Sequence, residues 1–166
     1  MSTNPTLPTD DYSRKLIEET IRPELETYLE AEFNDPHASK RGTSHPEGPG
    51  DWPPLVVTEL PGGGRVLYPH VVISEDSDSS STPDRRREFS QHDFGVGVEL
   101  HGQTGTQMFN LRGLARAWFL DNRDLLRNAG FAEIDVDGGS MDWDSTSETR
   151  SWELTVTGLL HTHPDA

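Results

Sequence analysis

In "FGVGVEL" (94–100), Phe94, Val96, Val98 and Leu100 alternate with Gly95, Gly97 and Glu99. Alternation of this kind predicts a strand with one buried face, and glycines on the other face invite close approach by a neighbour. The period then changes. Leu111, Leu114, Ala115, Trp118, Phe119, Leu125, Leu126 and Ala129 form one apolar stripe, which predicts a helix over 110–129 packed on the sheet. Gly113 is a weak spot in it, and Gly130 sits where a left-handed C-terminal cap belongs. Near the start of the chain, Leu16, Ile17, Ile21, Leu25, Tyr28, Leu29 and Phe33 recur at helical spacing, with Thr9 or Asp10 placed to cap. Pro23 interrupts this run, predicting a kink near Glu19 or a second helix starting at Arg22–Pro23.

The remaining segments complete the order. "LVVTELPGGGRVLYPHVVI" predicts two strands, 55–60 and 65–73, joined by a hairpin at Pro61–Gly64. "FAEIDV" is a short alternating strand, "DGGSMDWDSTSETR" a connection, and "SWELTVTGLL" a last strand with Trp152, Leu154, Val156 and Gly158 on one face. Residues 34–54 and 74–93 are too rich in Pro, Gly, Ser and charge to be regular, and are expected to be long loops. Residues 1–9 are expected to be a flexible N-terminus and 162–166 a tail. Strand pairs on both sides of one amphipathic helix predict an α+β fold: a mostly antiparallel sheet with helices packed on one face. A length of 166 residues fits a single domain, 1–166. The expected core is Phe94, Val96, Val98, Leu111, Leu114, Trp118, Phe119, Leu125, Leu126, Trp152, Leu154 and Val156.

Charge changes the picture. The chain carries a formal net charge of −15, and only Lys15 and Lys40 are lysines beside 12 arginines. Acid excess with lysine nearly absent resembles the proteins of salt-loving archaea, whose carboxylates hold water while salt screens their repulsion. It also opposes nonspecific binding to DNA or anionic membranes. No run reaches the ~18 apolar residues of a membrane span, and the N-terminus lacks a signal peptide's apolar stretch. The chain is therefore expected to start out soluble and cytoplasmic, with no membrane partner.

Candidate chemistry is sparse. Without cysteine there is no disulfide, thiolate or cysteine-bound zinc. His161, His163 and Asp165 in "HTHPD" offer too few convergent ligands for a metal. "DVDGGSMDWDSTSE" fails the calcium-loop pattern in both registers, with Thr146 at position 12 in one and Gly139 and Met141 at ligand positions in the other. "PGGGR" lacks the Lys-Ser/Thr of a phosphate loop. No nucleophile elbow or zinc-protease motif appears, so no catalytic, cofactor or metal residue is assigned. Arg85, Arg86 and Arg87, at the end of "EDSDSSSTPDRRREF", have no interleaved aromatics to suit nucleic acid. Contact with acids of another protein suits them better, and a solvated loop is the plain alternative.

The sequence of elements carried by "FGVGVEL", "NLRGLARAWFLDNRDLLRNAGFAEIDV" and "SWELTVTGLL" resembles the tail terminator (tail completion) proteins of long-tailed viruses, over roughly residues 10–160. With the halophile composition, that points to a haloarchaeal tailed virus. The resemblance implies a non-catalytic structural subunit without cofactor. It would form a homo-hexameric ring in the virion neck, end the tail tube and join tail to head, with tail tube and head–tail connector proteins as partners. Assembly would take place in the host cytoplasm. DNA would pass through the lumen unbound, repelled by the acidic wall, and the 74–93 loop with Arg85–Arg87 would contact neighbours. Two alternatives stay open: a head–tail adaptor or stopper, and a halophilic α+β enzyme or ligand-binding protein without a recognisable motif.

Overall fold

A computed structural model describes residues 8–44, 50–59, 66–81, 90–139, 141–145 and 148–162. The chain opens with α1 (Pro8–Lys15), which passes without a break through a π-helical segment (Leu16–Ile21) into α2 (Arg22–Glu32). Arg22 donates its N–H to Ile17 O, five residues back. Pro23 explains the wide turn. It has no N–H, and its ring would collide with the preceding turn of a regular helix, so the π segment makes room just before it. Ile17, Ile21, Leu25 and Leu29 consequently stay on one buried face. The helix starts at Pro8, so residues 8–9 are part of it rather than a flexible end.

Six strands form one mixed, mostly antiparallel sheet: β1 (Val56–Val57), β2 (His70–Ser81), β3 (Ser90–Gly102), β4 (Phe131–Asp137), β5 (Met141–Asp144) and β6 (Thr149–Thr162). The order is β1-β2-β3-β6-β4, with β5 also on β6. β3 is the spine, antiparallel to β2 on one side and to β6 along its full length on the other. Helices α3 (Gly105–Asp121) and α4 (Arg123–Asn128) follow β3, and α3 lies across β3, β6 and β4, while α2 packs beside α3 and over β1. The fold is thus α+β. The buried face is built from paired positions: Val98 opposite Leu154, Val96 opposite Val156, Leu100 opposite Trp152 and Ile73 opposite Val98.

Several boundaries differ from the sequence reading. The expected hairpin of strands 55–60 and 65–73 is absent: β1 is two residues long and runs parallel to β2, Val56 against Val71. Residues 60–65, including the expected turn, lie outside the described residues. A hydrophobic run fixes burial but not direction, and Pro53–Pro54, without donors, limits how early β1 begins. The expected loop 74–93 is strand at both ends, since β2 runs to Ser81 and β3 starts at Ser90. "SEDSDSSS" has no strand signal of its own. It is held by β3's ladder, through an irregularity between Glu75 and Ser77. Residues 34–44 and 50–54 are turns and irregular chain, with an isolated bridge between Ser44 and Asp51.

The single helix expected over 110–129 is two. α3 starts earlier, at Gly105, where the Thr104 hydroxyl accepts from Gln107 N–H at 3.3 Å. It stops at Asn122, whose side chain turns back to donate to Trp118 O at 2.9 Å. The break rotates Leu125 outward to 38% exposure, so Leu125 is not core, while Leu126 is fully buried. Leu114 is half-buried against the core. Phe94, Val96, Val98, Leu111, Trp118, Phe119, Trp152, Leu154 and Val156 are all buried. Gly130 follows α4 with φ +100, and a Cβ there would stand 2.8 Å from His161 O. The expected connection at 137–150 contains β5, which pairs Trp143 with Arg150, and β6 extends to Thr162. No described helix is long and apolar enough to cross a membrane.

Candidate assembly surfaces

Two regions of this scaffold stand out as candidate surfaces. The first is the far end of the sheet. Ser81 stands opposite Gln91 and Ser90 opposite Thr162, so three strands converge on the β2–β3 connection. Arg85, Arg86 and Arg87 belong to that connection, at 82–89, outside the described residues. β1 covers β2 only at Val71–Val72. Beyond it, β2 is an outer edge among the described strands, and its acidic sequence discourages indiscriminate edge pairing. The edge is tied inward by buried Ser13, whose hydroxyl donates to Glu75 at 3.4 Å.

The second region lies on α3 and the β5–β6 pair. Because Met108 and Leu111 turn into the core, Phe109 and Arg112 face outward. Phe109 is 59% exposed and meets Trp152 edge-on at 5.3 Å. The Arg112 guanidinium covers the Trp152 ring at 4.4 Å and donates to Gly138 O at 3.4 Å. Trp152 Nε1 donates to the same carbonyl at 2.7 Å, which locks the indole. Two residues along, Trp143 is 51% exposed beneath Arg150, whose guanidinium stands 4.6 Å from its ring. Arg150 Nε is buried and has no hydrogen-bond partner among the described residues. A groove of about 670 Å³ runs from Phe109 along Asn110 and Gly113 to Glu32 and Phe33. An exposed tryptophan under an arginine, and an exposed phenylalanine against an arginine-covered indole, have the make-up of interface anchors.

Sequence reading missed both aromatics. Trp143 fell in a segment read as a connection. Phe109 precedes the predicted helix, and its one signal was an apolar residue off the stripe.

A third cluster is structural in character. His70, at the start of β2, is buried and stacks on His101 of β3 with ring centroids 4.9 Å apart. Burial holds His70 down at about 4, with His101 and then Arg41 adding to the effect, and a hydrogen bond with Leu67 O opposing it. Burial also lowers His101, against the pull of Glu99. Arg41 and Asp35 form an almost wholly buried ion pair at 2.5 Å, and Arg41 also donates to Pro54 O at 3.3 Å. Arg41 donates as well to Pro69 O, one residue before β2, and so ties the turn at 34–44 to the start of that strand. No group of three or more His, Asp or Glu that could hold a metal occurs among the described residues. His161 lies within β6, its N–H bonded to Gly130 O at 2.7 Å, while His163 and Asp165 lie outside the described residues.

No family model matches the sequence, and no curated protein matches it. Among solved structures, the chain is similar to one in the virion of a native gene transfer agent particle, at 13% identity and a TM-score of 0.38. The match covers 64% of this chain and 78% of that one, and a likeness of this degree carries no argument about function.

Proposed function

We infer that the chain is a non-catalytic structural subunit of a virion, and more narrowly a tail terminator of the neck. One observation carries the reading: two large aromatics stand on an open surface, Trp143 under the Arg150 guanidinium and Phe109 edge-on to the Trp152 ring that Arg112 covers. That is the layout of a subunit that recognises other proteins. The three strands ending at the arginine-bearing connection suit the same role, since they would deliver Arg85–Arg87 to a neighbour. In this reading six copies form a ring, one face of which matches the last ring of the tail tube while the other receives the neck. The acidic surface would keep DNA mobile in the lumen. A haloarchaeal tailed virus is the proposed source.

The test is genetic and structural. A virus lacking the protein should produce filled heads and unjoined or overlong tails, and the protein should be detected at the neck of wild-type particles by labelled antibody. Normal joined particles without it would end the reading. An adaptor or stopper role would instead show as tails of normal length that fail to join leaking heads.

A further inference from the structure

Charge is divided unevenly over the helical layer. From Leu16 to Glu32, the acids Glu18, Glu19, Glu24, Glu26, Glu30 and Glu32 stand against one base, Arg22. In α3 and α4 the balance reverses: Arg112, Arg116, Arg123 and Arg127 outnumber Asp121 and Asp124. A local excess of cations runs against the −15 of the whole chain. Glu19, Glu24 and Glu30 are exposed, as are Arg116 and Arg123, and none of the five has an ion pair among the described residues. Because α2 packs beside α3, one layer holds both an acidic and a basic half, yet these exposed charges do not satisfy one another within a copy. The basic half also carries the exposed Phe109.

We propose that the α3–α4 face of this chain docks on the acidic face of the Leu16–Glu32 helical run (the π segment and α2) of a second copy. Charge complementarity selects the occupant. Two acidic faces would repel, as would two basic ones, whereas the acidic face of a copy supplies carboxylates to the Arg116 and Arg123 guanidinium groups. Phe109 supplies the apolar anchor at the edge of the contact, next to the groove that ends at Glu32. The acidic and basic halves adjoin in one layer, so the contact either passes from copy to copy as a heterologous ring or is made twice across a two-fold axis; the ring is the arrangement the proposed function needs, and the sedimenting mass tells the two apart. This inference rests on the reading of the chain as an assembling subunit and specifies its subunit contact.

The test is association of the purified full chain at fixed salt, by analytical ultracentrifugation, in two charge-reversed variants. One carries Arg116→Glu and Arg123→Glu, the other Glu19→Arg, Glu24→Arg and Glu30→Arg. All five positions are exposed, so circular dichroism should match wild type. Each variant alone should associate about tenfold or more weakly, because like charges then face each other. An equimolar mixture should recover association, since the acid-only copy and the base-only copy can alternate. Both variants stay net negative, so bulk attraction does not explain recovery. Phe109→Ala should weaken association without altering its salt dependence. Variants that assemble like wild type, or a mixture of folded variants that does not recover, overturn the contact and leave the virion reading standing. A wild-type chain that stays monomeric at every concentration also overturns the contact, and the particle experiment above then decides the wider reading separately.

Discussion

Trp118 is 2% exposed, its ring edge-on to Phe119 at 4.9 Å between centroids, where α3 crosses the sheet. Trp118→Ala should therefore cost about 3–5 kcal/mol, from lost burial and the cavity left behind. A denaturant titration that finds less than about 1 kcal/mol would show the layer to be loose there. His70 gives a second measurement at this scale. Its folded-state value of about 4 lies below the ordinary 6.5. As pH falls from 6.5 toward 4, the unfolded chain takes up a proton that the folded one refuses, so protons favour unfolding in that window. Stability from this group is complete above the upper value and lost on the way to the lower one, by about 3 kcal/mol at most. His70→Gln should remove that part of the acid sensitivity. An unchanged difference in unfolding free energy between neutral and acidic pH would show that other groups cause it.

At the scale of elements, strong periodicity was legible and borrowed structure was not. The alternating Phe94–Leu100 segment and the Trp152–Leu160 segment are strands, because alternate burial is written into each side chain. β5 and the outer half of β2 have no such pattern. They exist because a neighbouring ladder satisfies their backbone groups, and that information lies in β6 and β3. The break at Asn122 was hidden for a different reason: the apolar stripe continues in sequence while the chain turns, and only Leu125 shows the consequence. The candidate surface was harder still. A core is announced by repetition, but an interface residue such as Phe109 or Trp143 is apolar where the local pattern asks for polar. The β2–β3 connection supplies the prediction for this scale. Replacing Arg85, Arg86 and Arg87 with Ser should leave circular dichroism unchanged and weaken ring formation at matched salt, because cations that meet acids across an interface are lost. Normal rings with lost DNA affinity would assign the arginines to nucleic acid, and normal rings without any DNA effect would make them a solvated loop.

The whole molecule is governed by its acid excess. With a net charge of −15, carboxylate repulsion grows as the screening distance lengthens from ~3 Å at 1 M salt to ~10 Å at 0.1 M. Folding and assembly are predicted to require molar salt. Circular dichroism and hydrodynamic size that stay constant across that range would count against a halophilic origin.

The place of β6 in the sheet bears on how the chain is made. β3, β4 and β5 all pair with β6, and β6 is the last of the described elements to be synthesised. During translation, the β2–β3 pair waits with one long edge open until Thr149–Thr162 leaves the ribosome, and β4 and β5, which among the described strands pair with β6 alone, wait for it too. A nascent chain in that condition is prone to pair with its neighbours on the same message. A ribosome arrested just before Thr149 should thus hold a protease-sensitive chain, and release of the last strand should confer resistance in a single step.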